Sequence, residues 1–411
     1  MRFAVVMIFG CGLMACASDE APAHDPAAEG VAALVVTEDD ELREIAGRLL
    51  PGLAERSGLE VRDSIRLARR SRAELERFLE AKLDEEIDEA RAEGLAEAYA
   101  LLGLVPEDFD LRATLLEVYT EQVAGFYDPD STTLYVLDDQ PGRAIEELLL
   151  HELVHAVQDQ WVDLAAVTAP TLDNDRRAAA QAAIEGHATL VMLEYVMRGM
   201  STHDLDLLEV PDFARQMRPA LEGIGSEYPA LGGAPRIIRE SLLLPYLHGA
   251  SYVQSVWRTR GSRVPLGEIL PASTEQVADP DRFTRADPDL PTGVQLTLAP
   301  PARIELDDVL GHAEVRILLG EIVGPEAGAG AEGWDGDRWA LVAEGATRGL
   351  VWAAVFDDAA ARDRFVGLLA PRLDAFPRRA TLDASTVEGR PIVLLRVGIE
   401  SEVTVTLGGD G

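Results

Sequence analysis

His151-Glu152-Leu153-Val154-His155 sets two imidazoles four residues apart, with a carboxylate directly after the first. On an α-helix, residues four apart share a face, so His151 and His155 can present ring nitrogens to a single metal ion. Glu152 is rotated by about 100° from His151, which brings its carboxylate beside that ion without ligating it. Zinc is the ion that such a motif serves: it acidifies water and polarises a carbonyl, while the carboxylate takes the water's proton and delivers it to a leaving amine. The bland alternative is a pair of helix histidines satisfied by ordinary hydrogen bonds. The chain has only seven histidines in 411 residues. A chance HExxH is expected in about one such chain in a hundred, which favours the metal reading.

Catalytic zinc takes three protein ligands and keeps one position open. Glu185 is the expected third ligand. It lies 30 residues after His155, in Glu185-Gly186-His187-Ala188-Thr189-Leu190, where the small Gly186 and Ala188 let two helices approach closely. A solvent-facing helical glutamate is the alternative. His187 is the rival ligand, but two residues on it points to another side of the helix, so both cannot bind one ion. His187 is read instead as a supporting or substrate-facing residue. His24 and His312 lie far from the motif in sequence and are not chosen. Peptide hydrolysis also needs a donor to the oxyanion. Tyr246 and His248, in Pro245-Tyr246-Leu247-His248-Gly249, are the candidates, with a core aromatic and a hydrogen-bonded helix histidine as the plain alternatives.

His151 to Ala156 followed by Glu185 resembles the gluzincin group of zinc metallopeptidases, the thermolysin-like branch of HExxH proteins. The resemblance implies an active-site helix under a small sheet whose edge strand pairs with extended substrate, and residues 132–137 stand in the right place for that strand. Several stretches further resemble predicted HExxH lipoproteins and secreted proteins of high-GC bacteria. They are Gly125-Phe126-Tyr127-Asp128-Pro129, residues 151–160, residues 185–192, Ser273-Thr274-Glu275-Gln276 and Gly333-Trp334-Asp335-Gly336-Asp337-Arg338. Three positions depart from these patterns. Thr189 stands where thermolysin-like enzymes often place an Asp that orients a zinc-bound His, His187 where the closer relatives have an acid, and Asp279 where they have a His. Thr189 is therefore grouped with His187 as a supporting or substrate-facing residue. Glu275 and Arg338 belong to motifs without a derived role.

These residues need elements to hold them. A helix over 141–161 is apolar most of the way round (Leu148, Leu149, Leu150, Leu153, Val154, Val157), which predicts burial. Before it, residues 126–137 read as a hairpin or edge strand around the Asp128-Pro129-Asp130-Ser131 turn. After it, helices are expected over 174–198, 211–224 and 235–260. Upstream, apolar spacing gives a helix over 38–55 and a strand over 59–67. Ser71-Arg72-Ala73-Glu74 is a capping box opening a helix to about residue 93, followed by a short helix over 95–102 and one capped by Asp110. Polar, Pro-rich loops fill 261–302, and 307–323 reads as helix. From Trp334, strands over 338–343, 350–356, 392–397 and 403–407 flank a helix over 358–369, a small α/β domain. The fold class is thus α+β, mainly α: a zincin-like domain over 38–302 and a C-terminal domain over 303–411.

The N-terminus reads as an address. Arg2 precedes an apolar run over 3–14, too short to span a bilayer, which ends in Leu13-Met14-Ala15-Cys16. That ending resembles a bacterial lipobox, which implies cleavage before Cys16 and a lipid on its thiol; a conventional signal peptide is the alternative. Residues 1–15 are then a signal peptide and 16–37 a flexible tether. The expected location is the bacterial cell envelope, lipid-anchored at the periplasmic face of the outer membrane or at the cell surface. Cys11 and Cys16 are the only cysteines, so no disulfide framework exists in the body. The formal charge of −35 repels phosphate backbones and excludes nucleic acid as a partner.

The leading expectation is a lipid-anchored zinc metallopeptidase with a peptide or protein substrate. A second is an envelope-assembly or binding lipoprotein that keeps the gluzincin fold without catalysis. A third is a hydrolase of non-peptide amides such as cell-wall crosslinks. Glu152 favours an enzyme, because a purely structural zinc has no use for that carboxylate.

Overall fold

Cap chemistry legible in the residues sets most helix boundaries of the N-terminal half. The computed structural model describes residues 4–7, 30–140, 142–200, 207–210 and 228–408. Strands β1 (Ala4–Met7) and β2 (Val35–Val36) precede α1 (Asp40–Leu49), whose cap Asp39 accepts the Leu42 N–H at 2.9 Å. β3 (Ile65–Arg70) ends at Ser71, and the expected capping box between Ser71 and Glu74 opens α2 (Arg72–Glu86). The helix does not run on to residue 93. Ile87 turns extended, and the Asp88 carboxylate captures the Arg91 N–H at 2.8 Å to start α3 (Glu89–Leu101), which absorbs the short helix expected after it. Asp110 caps α4 (Leu111–Gln122) as expected.

β4 (Val123–Asp128) and β5 (Thr133–Leu137) form the hairpin. Their sheet has the order β1-β4-β5-β3-β2. β5 is therefore interior, antiparallel to β4 and parallel to β3 from Arg66–Thr133 to Arg70–Leu137. This corrects the expected edge strand: β3 covers that side, and β1 lies along the outer edge of β4, Val6 opposite Gly125.

Beneath the sheet runs α5 (Gly142–Asp159), whose Leu148, Leu149, Leu150, Leu153, Val154 and Val157 are all buried. Each such side chain removed from water contributes about 1.5–3 kcal/mol, which fixes the helix firmly in the core. α6 (Asn174–Met200) and α7 (Arg236–Arg260) cross at near-backbone contact. A Cβ on Gly186 would lie 2.0 Å from the Gly249 carbonyl carbon, and one on Gly249 would lie 2.0 Å from the Ala182 oxygen. The helix expected over 211–224 lies outside the described residues.

The region expected as loops holds short helices, including Thr274–Ala278, and a strand, β6 (Gly293–Leu298). The helix expected over 307–323 begins later: β7 (Arg303–Asp308) ends where it was to start, and α8 (Gly311–Ile322) opens at Gly311, with φ 75°. β8 (Trp334–Glu344), β9 (Thr347–Phe356), α9 (Ala359–Leu369), β11 (Arg390–Val397) and β12 (Val403–Gly408) match the predicted elements, while β10 (Ala380–Val387) had no prediction. One sheet has the order β10-β11-β9-β8-β7, antiparallel throughout, and β12 pairs with β6. Because β6 belongs with β12, the C-terminal unit reaches back beyond the expected boundary at 303. The chain as a whole is α+β and mainly helical.

Two large cores result. One surrounds α5 and the first sheet; the other runs from Leu75, Leu101 and Leu115 to Trp339, Trp352 and Phe365, joining α2–α4 to the C-terminal sheet. Among the described residues no helix is long and apolar enough to cross a membrane.

Candidate metal centre

α5 presents His151 and His155 one turn apart, and α6 brings Glu185 across to them. Glu185 Oε2 lies 3.1 Å from His151 Nε2 and 3.4 Å from His155 Nε2. The three ligand atoms lie within 4.8 Å of one another, on side chains that are all buried. A tetrahedral ion bonded at about 2.0–2.1 Å has ligand–ligand edges of about 3.3–3.4 Å, which the His155–Glu185 separation matches and the His151–Glu185 separation falls slightly short of. His155 Nε2 and both carboxylate oxygens of Glu152 are buried without a hydrogen-bond partner. Leaving such groups unmade costs about 1–3 kcal/mol each; a cation at this point relieves part of that cost. The donor set fits the ion that the motif implied.

The electrostatics favour ligation. Burial pushes the His151 imidazole down to about 4 against the pull of Glu185, so the ring is neutral. Burial raises Glu185, and positive charge on its imidazole side is what lowers the carboxyl, a charge that a metal ion would supply there. Burial, with the Glu185 charge, drives Glu152 well above the usual carboxylate range, and the nearby backbone N–H of Tyr127 on β4 offsets only part of this.

Behind His155 runs a chain of hydrogen bonds whose polarity follows from its far end. His187 Nε2 lies 2.9 Å from the Ser57 carbonyl oxygen, which only accepts, so this nitrogen carries the proton. Burial pushes His187 down to about 3, so the ring is neutral and its Nδ1 accepts, from Gln158 Nε2 at 3.0 Å. The same NH₂ group donates to the Ile184 carbonyl at 3.0 Å, and Gln158 Oε1 therefore faces His155 Nδ1 at 2.7 Å as acceptor. His155 thus carries its proton on Nδ1 and turns the Nε2 lone pair toward Glu185 and His151, the tautomer a metal requires. His187 is a supporting residue acting through Gln158. Gln158 had no predicted role. Its signal is its place three residues after His155, on the same face of α5.

Other candidates separate. The Tyr246 ring lies 6.4 Å from that of His151. Tyr246 and Glu185 both line a cavity of about 230 Å³, together with Arg177, Gln181, Leu115 and Trp339. His248, about 200° further round α7, faces a different cavity beside His312 and is not brought to the metal ligands, which corrects its assignment as a catalytic candidate. Thr189 Oγ1 has no hydrogen-bond partner and neither has His151 Nδ1, so Thr189 does not orient a histidine as the Asp of thermolysin-like enzymes does. Cys16 and His24 lie outside the described residues.

Residues 302–406 match the family described as a domain of unknown function, DUF8575. No curated protein and no solved structure matches the chain. The DUF8575 segment contains none of the ligands but contributes Trp339 and Glu314 to the cavity that Glu185 lines. It also holds the motif around Trp334, whose indole N–H donates to Asp337 at 2.8 Å while that carboxylate accepts the Leu310 and Gly311 N–H groups at 2.8 and 2.9 Å. Arg338 pairs with Asp307, and Glu275 with Arg282 at 3.3 Å. Asp175 near the start of α6 accepts the Thr274 N–H at 3.1 Å. These motif residues fasten the start of α8 to β8 and the short helix Thr274–Ala278 to α6.

Proposed function

We propose that this protein is a zinc metallopeptidase, exported and lipid-anchored at the bacterial cell envelope through Cys16, that hydrolyses peptide bonds in a peptide or protein substrate. The observation that carries this reading is the convergence of His151, His155 and Glu185 beside a buried Glu152 carboxylate that makes no well-formed hydrogen bond among the described residues. His151 and His155 through Nε2, and Glu185 through Oε2, would hold the ion. When bound, zinc supplies a Lewis acid that polarises the scissile carbonyl and acidifies water. Glu152 takes the proton of the attacking water on its carboxylate and passes it to the leaving nitrogen. Gln158 and His187 keep His155 in the ligating tautomer. The Tyr246 hydroxyl is the donor proposed for the developing oxyanion, since its ring stands beside His151. Extended substrate would pair with the outer edge of β4, the edge that β1 occupies, and removal of residues 1–15 with the signal peptide frees it.

The test compares the parent with Glu152→Gln for bound zinc and for cleavage of a mixed peptide library. One zinc per chain in both, with cleavage lowered by a factor of about 10²–10⁴ in the variant, is the expected result. Absence of zinc from both proteins, or equal cleavage by both, refutes the proposal.

A further inference from the structure

The cavity that receives His248 lies between α7 and α8 and measures about 570 Å³. Among the described residues its walls carry Arg236, Arg239 and Arg316 against a single acid, Glu240, with His248 and His312 between them. A surplus of two positive charges is unusual in a chain of formal charge −35. Many arginines elsewhere in this protein are engaged by carboxylates, as Arg282 is by Glu275, Asp279, Asp289 and Asp357. Here only Arg236 is, through Glu240 at 2.5 Å. Arg239 donates to the Ala234 and Gly232 carbonyl oxygens at 3.2 and 3.5 Å, contacts that leave its charge unneutralised. Arg316, solvent-exposed, makes no hydrogen bond or ion pair with a described residue.

His312 supplies the second observation. Its side chain is 4 % exposed, it lines the cavity, and Nδ1 is enclosed without a hydrogen-bond partner. A buried polar atom left unmade is costly, and a ligand group reaching it from the cavity would relieve that cost. Guanidinium groups match oxyanions in geometry as well as charge, and imidazole N–H adds a donor. The surplus charge matches a dianion, and Leu243, Leu247 and Val277 give the remaining volume an apolar wall suited to an organic group.

We propose that this cavity is a binding site for a small phosphate-bearing molecule, held by Arg236, Arg239 and Arg316 with His312 and His248 as donors. The site is separate from the metal centre but stands back to back with it. Leu244, Thr274 and Ala313 line both this cavity and the one that reaches Glu185.

Calorimetric titration of the full chain with inorganic phosphate at neutral pH and low ionic strength tests the site, with succinate as a dicarboxylate comparator. One saturable phosphate per chain is expected, weakened at least about tenfold by Arg316→Gln or Arg239→Gln through loss of a charge-assisted contact. Arg316→Gln removes an exposed side chain without partners, so folding is not at risk. Arg379→Gln, which breaks a surface pair with Glu400, is expected to leave binding unchanged. In histidine-labelled protein the His312 resonances shift with phosphate. Several results overturn the proposal: no saturable phosphate binding, binding of succinate in preference to phosphate, or binding that survives both arginine variants. Binding that disappears on chelation of metal also overturns it, because it places the anion at the metal centre.

Discussion

Gln158 offers the most discriminating perturbation of the proposed metal centre. Its side chain is 0 % exposed and serves three groups, accepting from His155 Nδ1 at 2.7 Å and donating to Ile184 O and His187 Nδ1 at 3.0 Å. Gln158→Leu keeps the volume and serves none of them. Three buried groups left unmade at about 1–3 kcal/mol each predict a loss of about 3–9 kcal/mol before relaxation. That is comparable with the entire stability of many domains, about 5–15 kcal/mol. Losing the partner that orients a ligating histidine also predicts a fall of about 10–100-fold in zinc affinity. Gln158→Glu separates the two effects. The carboxylate still accepts from His155 Nδ1 and keeps the Nε2 lone pair turned toward Glu185, but it cannot donate to Ile184 or His187. Zinc affinity should therefore stay near that of the parent, while stability falls as it does in the leucine variant. Competition with a chromophoric chelator measures the first quantity, and urea unfolding of metal-free protein the second. If the glutamate variant loses zinc as badly as the leucine variant, the tautomer argument is wrong.

Two further outcomes follow from burial. Gly186→Ala would gain about 0.8–1 kcal/mol from helix propensity alone, yet its Cβ would sit 2.0 Å from the Gly249 carbonyl carbon. Backbone must move, so a net destabilisation of at least about 1–3 kcal/mol is expected in urea unfolding, and a stabilised variant would contradict the close crossing. Glu314 is held up to about 8 by burial, with Asp308 and Asp337 adding to it against hydrogen bonds from Asn174 and Tyr99. A carboxyl raised above its unfolded value of about 4.3 contributes stability that is complete below that value and lost as pH rises through the folded one. Glu314→Gln, whose amide oxygen can still accept from Tyr99 and Asn174, should remove a slope of about 1.4 kcal/mol per pH unit between about pH 5 and 8. Unfolding free energies of both proteins at several pH values read this directly, and parallel pH profiles would reject it.

The cluster of His151, His155 and Glu185 was legible because its members sit on two helices whose periodicity is written in consecutive residues. His151 and His155 share a helical turn, and Gly186 beside Glu185 marks a close crossing. Caps at Ser71 and Asp110 were legible for the same reason, being interactions across three residues. What depended on distant pairing was not. Residues 133–137 are rich in strand-forming side chains without showing which neighbours flank them, and only the docking of β3 makes them interior. Asp307 and Asp308 looked like the start of a helix, but pairing with β8 draws them into β7. The partner of His187 is Ser57, 130 positions away, so no local pattern announces the bond that fixes the tautomer of His155. His248 was misassigned because nearness in sequence to Tyr246 says nothing of the opposite side of the helix.

The cavity that Glu185 lines is closed partly by Leu310, Glu314 and Trp339. Synthesis therefore delivers the ligands first and the chamber last, with about 150 residues between Glu185 and Trp339; at about 5–20 residues per second that interval is roughly 8–30 s. Through it the nascent chain carries the proposed metal-binding helix pair with no finished wall around it. Any hydrolytic competence is thereby deferred until the segment carrying Leu310, Glu314 and Trp339 has docked.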